Sequence, residues 1–329
     1  MTTVTRTRTE PPSEDPALTD RRWGSRERAT VVTARRMPPR RDSPWGAALA
    51  STSLVILSIL MLGFVAELSI LGDLKNHRDQ ATAYDDVRGA LANGVAPVSA
   101  FADDGTLVQP GTPLGVIQFP TLGFQQVFFQ GTSSGVTQSG PGHLMSTVMP
   151  GQMGISVLQG RQSSYGGAFA RLVELRKGDS VFVATGQGRS EYRVLAVRHK
   201  GDPMPLPLAQ GKARLAMITA DGPGYAPTGA VVVDAALIAG QGGGASPYPA
   251  GATVATAALS VADKAMASDA DAMVPIILWS QLLLLAALGL SWATRRWGKR
   301  QTWIVGVPVI GIVALNLADE IARLLPNLL

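Results

Sequence analysis

Three stretches of this chain hold no charged side chain for long enough to cross a hydrocarbon layer, and they constrain the fold more than any other feature. Residues 43–66 read SPWGAALASTSLVILSILMLGFVA, where about 20 residues suffice for a helical crossing. Residues 272–294 (AMVPIILWSQLLLLAALGLSWAT) and 301–318 (QTWIVGVPVIGIVALNLA) follow much later, separated only by RRWGKR, which predicts a tight hairpin with a basic turn. The third run holds Pro308 and Asn316 and leads into Asp319, Glu320 and Arg323. It reads as a span with its acidic end at the outer interface, the alternative being a re-entrant or interfacial segment. The first run lies behind a long polar tail and exceeds the h-region of a cleaved signal peptide, so it reads as a span.

The distribution of charge orients these segments. The formal net charge is +5, but residues 1–43 hold ten Arg against six acidic residues, and Arg295, Arg296, Lys299 and Arg300 add four more positive charges. Residues 72–272 hold 14 basic and 15 acidic side chains. The excess therefore flanks the apolar runs, as cytoplasmic loops do under the positive-inside rule, and a nucleic-acid partner loses its support. The N-terminus is expected inside, residues 72–272 outside, and the chain in the cell membrane as a multi-pass protein. Trp45, Trp292, Trp297 and Trp303 lie at or near the ends of the runs and read as interfacial anchors. The absence of cysteine excludes disulfides, thiolate metal sites and a cysteine nucleophile.

The organisation expected is a disordered Arg-rich cytoplasmic tail (1–43), a first transmembrane helix (44–66), and a juxtamembrane helix and linker (67–111). A β domain follows (112–239), then a Gly/Pro/Ala-rich linker (240–271), a second transmembrane helix (272–294), a cytoplasmic turn (295–300), a third transmembrane helix (301–318) and a tail (319–329). The juxtamembrane helix continues to Leu91, with Gly94 as a stop signal. His77 on this helix belongs to a solvated face, and neither a metal nor a cofactor is implied. Within the β domain, seven short runs rich in β-branched or aromatic residues, from LGVIQFP to GAVVVDAALI, argue for a barrel of about eight strands. AFARLVELRKGD interrupts them as a helical turn.

The order IQFPTLGF, VFFQGT, GPGH, PGQMG, VLQGRQSSYGGAFARLVELRKGD, SEYRV and ARLAMITADGPG resembles the sortase family over about residues 113–237. That resemblance implies an eight-stranded barrel of a membrane-anchored cysteine transpeptidase of Gram-positive bacteria. In the family, a strand ending in G-H supplies a His, a TLxTC strand the nucleophilic Cys, and the next strand an Arg for the oxyanion. Here the matching positions are Arg161, Ala220 and, near the third, Thr228 or Gly229. An alanine methyl cannot attack a carbonyl, and a guanidinium is no general base at physiological pH. The expectation is therefore a sortase-like pseudoenzyme, not an enzyme. It would serve as a scaffold or peptide-binding subunit of a cell-envelope complex, with other envelope membrane or surface proteins, or an extended peptide, as partners. The alternative is a transpeptidase or hydrolase with a relocated Ser or Thr nucleophile, drawing on Ser163, Ser164 or Thr219 with His143 or His199 as base. Asp221 is expected to form an ion pair with Arg161 across the vacated site. Arg outnumbers Lys 23 to 6 with abundant Ala and Gly, as in actinobacteria, where sortase-like proteins are common.

Overall fold

The computed structural model describes residues 61–102, 104–239 and 247–329. Most of the first expected span (44–66) and all of the Arg-rich tail lie outside these residues. The chain is helical from Met61 onward, passes through one π turn at Glu67–Leu71, and continues as α1, Gly72–Ala92. Asn93 caps it and Gly94 leaves it with φ 68°, a conformation that favours glycine.

Eight strands then close a barrel: β1 Pro113–Phe119, β2 Phe124–Gln130, β3 Gly142–His143, β4 Gly154–Gln159, β5 Ser180–Thr185, β6 Gly188–Arg198, β7 Ala213–Asp221 and β8 Gly229–Ala239. Their spatial order is β1-β2-β3-β4-β7-β8-β6-β5, returning to β1. Each expected run forms a strand, and β3, only two residues long, completes the ring. β2 with β3 and β4 with β7 pair in parallel, and all other neighbours are antiparallel. Closure brings β1 so close to β5 that a Cβ on Gly115 would run into the carbonyl of Ala184.

Alternation along the strands fills the interior. Ile117, Phe119, Phe128, Leu158, Val181, Val183, Leu215, Met217, Val231 and Val233 form one buried cluster. Phe169 and Leu172, from the segment between β4 and β5, belong to the same cluster. The turn expected there is a 3-10 turn at Leu172–Glu174. The ring of Phe169 stands edge-on to Phe119 at 6.1 Å, a favoured aromatic geometry.

Helix α1 lies on the outside of β1 and β2, where Ala83 and Val87 meet Val116, Val127 and Phe129. Its Gln80 amide acts as a surrogate strand: Nε2 donates to the carbonyls of Val127 and Ser139, and Oε1 accepts from the Val127 amide. The stretch read as a linker runs along the barrel. The Tyr248 carbonyl accepts from the Met153 amide, its amide donates to Gly151, and Ala100 donates to Ala252.

Two long helices follow, α2 (Met273–Trp297) and α3 (Lys299–Ala322), joined at Gly298. Both are long and apolar enough to cross a membrane, over Ala270–Leu290 and Arg300–Ala322. Trp292, Trp297 and Trp303 are exposed on them. The base of α3 is fastened to the barrel side of the molecule. Lys75 of α1 pairs with Asp319 at 2.9 Å, and Arg323 pairs with Asp269 at 2.7 Å and Glu320 at 3.0 Å.

Phe169 is fully buried, so Phe169→Ala removes a core ring and leaves a cavity. The expected cost is about 3–5 kcal/mol, measured as a drop in Tm of the detergent-purified chain. An unchanged Tm contradicts this packing.

Candidate functional site

One end of the barrel gathers the termini of β4, β7 and β8. Gln159 pairs with Ile218 across the parallel β4–β7 ladder, and Gly160 continues it by donating to the Ile218 carbonyl at 3.0 Å. Ala220 and Asp221 face Ala230 and Gly229 across β7–β8, and the Thr228 amide donates to the Asp221 carbonyl at 2.8 Å. The chain thus brings the ends carrying Arg161, Ala220 and Thr228 to one rim.

Arg161 is wholly buried. Its Nη1 donates to Ser164 Oγ at 2.8 Å, and Nη2 donates to the carbonyl and hydroxyl of Ser134 at 3.0 and 2.7 Å. The guanidinium also lies 5.1 Å from the ring centre of Tyr165, and its Nε is without a partner. Burial pushes its pKa down to about 10, so it remains a cation at neutral pH. Tyr165 holds φ 51° while fully buried, a backbone position costing about 1–2 kcal/mol for a side-chain-bearing residue. Its hydroxyl donates to Asp319 at 3.1 Å, which links the rim to the base of α3.

The expected ion pair between Arg161 and Asp221 is not formed. Asp221 instead meets His199 Nδ1 at 2.9 Å at the surface, because Asp221 ends β7 beside the loop after β6 while Arg161 turns inward to the Ser134 turn. Ser163 is partly exposed, and its carbonyl accepts from Tyr225 at 3.4 Å. Thr219 is buried with Oγ1 lacking a partner. Ala220 is fully buried beside it.

His143 is buried in β3 with its ring committed elsewhere. Nε2 lies 3.0 Å from the Val148 carbonyl and Nδ1 3.2 Å from the Gln130 amide oxygen. Gln130 Nε2 has no partner as drawn, and turning that amide lets a neutral ring donate from Nε2 and accept at Nδ1. The hydroxyl near its Nε2 is that of Thr147, at 3.3 Å. Among the described residues, no group of three His, Asp or Glu could hold a metal ion.

Sequence reasoning missed what occupies this rim. Residues 326–329, read as part of a tail, form a turn in which Leu329 donates to the Pro326 carbonyl. The Gln162 amide donates to the Leu328 carbonyl at 2.9 Å and the Ser164 amide to a main-chain oxygen of Leu329 at 3.1 Å. Ser164 Oγ donates to that same oxygen at 2.7 Å. Asn327, Leu328 and Leu329 are all buried. The available signal was four leucines in LLPNLL directly after an interfacial charge cluster, an apolar density poorly suited to a solvated tail.

Compared with protein families, residues 117–238 match the model of the Sortase domain. Among solved structures, the chain is similar to a sortase D5 transpeptidase of Clostridium perfringens, with 17% identity over 49% of this chain and 99% of that one, TM-score 0.41. A Clostridium perfringens sortase C described with the C-terminal cell wall sorting motif shows 22% identity over 49% and 88%, TM-score 0.36. Sortase C-1 from Actinomyces oris shows 25% identity over 38% and 74%, TM-score 0.34. Curated proteins compared by sequence give no match. Residues 117–238 are thus a sortase domain on an eight-stranded barrel.

The family corrects one expectation. The chain was read as not an enzyme, yet residues 117–238 match the Sortase domain, whose members are transpeptidases, and nothing in that match marks this chain as lacking catalysis. The physical reason is that a hydroxyl can serve as nucleophile where a base and an oxyanion donor are arranged around it. What the 329 residues do exclude is a thiolate route, since none is cysteine.

Burial holds the pKa of His143 down at about 4 against an ordinary 6.5. The unfolded chain then takes up a proton that the fold refuses. Stability is full above pH 6.5 and falls as pH drops toward 4, by on the order of 3 kcal/mol. Denaturant midpoints measured from pH 7 to 4 should show this slope, and His143→Gln should flatten it. A slope unchanged by the substitution contradicts the buried neutral imidazole.

Proposed function

We propose that this chain is a membrane-anchored sortase-domain protein that holds a peptide segment at the Arg161 rim, as a scaffold or peptide-binding subunit of a cell-envelope complex. The observation that supports it is the rim itself. The amides of Gln162 and Ser164 and the hydroxyl of Ser164 point at main-chain oxygens of a bound segment, and main-chain donors of this kind accept peptides without needing a particular side chain. The charge distribution supports a barrel outside the cell and basic residues 295–300 inside, with partners that share the membrane or the outer surface.

A second reading is favoured by one contact. Two donors, the amide and hydroxyl of Ser164, converge on a single main-chain oxygen of Leu329, and Arg161 donates to that hydroxyl. Donors aimed at one oxygen stabilise negative charge on it, and the unpartnered Thr219 hydroxyl lies on the neighbouring strand. A hydroxyl-based transpeptidase or hydrolase of envelope proteins is the activity this would serve.

A photoreactive residue at position 163 in native membranes separates the readings. The binding function predicts one discrete adduct with a membrane or surface protein, lost in Arg161→Met. Loss of Arg161 unmakes three hydrogen bonds of a buried cation, each about 1.5–3 kcal/mol, so folding is checked by Tm. Absence of any adduct removes the binding function. A partner recovered cleaved or joined, dependent on Thr219 or Ser164, establishes the second reading instead.

A further inference from the structure

We propose that residues 326–329 are a built-in ligand of the Arg161 rim, recognised through the Asn327 carboxamide, and that a partner segment bearing an asparagine amide binds only when this segment leaves. The inference rests on the binding function above and gives it a ligand chemistry and a means of control.

The Asn327 pocket is built of oxygens. Its Nδ2 lies 2.7 Å from the Thr132 carbonyl and 2.9 Å from that of Lys264, with the Ala262 carbonyl and Gln159 Oε1 each at 3.4 Å. The four acceptors face a nitrogen with two N–H groups, a role the –NH2 of a primary amide fills and a carboxylate cannot, while Asn327 Oδ1 is buried without a partner. An apolar side chain would leave buried carbonyls without donors. The neighbouring contacts, from Gln162 and Ser164 to main-chain oxygens of Leu328 and Leu329, are main-chain and indifferent to sequence. Selectivity therefore resides in the amide.

The pocket does not need its occupant to keep its shape. Thr132 is tied to Asp263 twice, through its amide at 3.0 Å and its hydroxyl at 2.7 Å. Ser134 and Ser164 are held by Arg161. If residues 326–329 withdraw, the walls stand, while the amides of 162 and 164 and the carbonyl of 132 lose their partners, and the carbonyl of 264 keeps only the Ala267 amide. A site so left favours another segment of the same chemistry. The occupant is attached to α3 through Arg323, clamped by Asp269 and Glu320, so its withdrawal is coupled to the membrane hairpin.

The test uses the full chain in lipid nanodiscs and a fluorescent peptide of the sequence Leu-Leu-Pro-Asn-Leu-Leu. In the unsubstituted protein, amide hydrogen exchange should show 162–164 protected and the peptide binding weakly. Asn327→Leu should speed exchange at 162–164 by about tenfold or more and tighten peptide binding by a similar factor. Added peptide should then restore protection, while a peptide with Leu in place of Asn should not. Asn327→Asp, which sets a carboxylate among carbonyls, gives the same result should the first variant fold poorly. Equal peptide binding by variant and unsubstituted chain, unaltered protection, or equal binding of the Asn-free peptide overturns the proposal. If exchange and peptide binding behave as expected but position 163 captures no envelope protein, the built-in ligand stands and the scaffold function falls. The reverse pattern leaves the scaffold function and removes the built-in ligand.

Discussion

A single buried guanidinium organises the working end of this protein. Arg161 stands where β4 leaves the barrel, and burying a cation costs several kcal/mol unless hydrogen bonds and a favourable field compensate. Among the described residues, no carboxylate side chain pairs with it. Compensation comes from the hydroxyl and carbonyl of Ser134 on one segment and from the Ser164 hydroxyl and the Tyr165 ring on another. Satisfying the charge therefore fixes the turn at Ser134, the strained backbone at Tyr165 and the hydroxyl of Ser164 together. Everything that the rim can hold is positioned by these three.

The same network reaches the membrane. Tyr165 donates to Asp319, Asp319 pairs with Lys75 of α1, and Gly166 donates to Asp73 at 2.7 Å. Partly exposed ion pairs contribute little alone, about 0–1 kcal/mol each. Their role here is registry: they set the rotation and depth of α3 against α1, and with it the path of residues 323–329. The Arg323–Asp269 pair anchors the same path from the other side.

Much of the architecture was legible because it is local. Runs such as DSVFVATG and ARLAMITAD have strand length and composition, and both form strands, β5 and β7. β3 escaped because two residues carry no period. The identities at 161, 220 and 228 could be read as departures from a sortase pattern, but the partners of Arg161 could not. Asp221 seemed suited by charge and by its place next to Ala220 at the same expected site, yet it meets His199, while the partners of Arg161 are neutral serines, one of them 27 residues upstream. The docking of Asn327 was still less visible, since Thr132 lies 195 positions away and an apolar turn gives no sign of where it will be buried. Inference from three vanished residues to a vanished reaction also reached too far. Such residues define one route for acyl transfer, and the family defines the domain.

The central claim is that the rim around Arg161 is a peptide site shaped by a buried cation and filled by the chain itself. An experimental structure of the full chain in a nanodisc tests this most directly. The account predicts density for Leu328 and Leu329 with their main-chain oxygens on the amides of Gln162 and Ser164, and Asn327 enclosed by the carbonyls of Thr132 and Lys264. Residues 326–329 lying away from the barrel, with Arg161 turned outward to solvent or to a carboxylate, would contradict it.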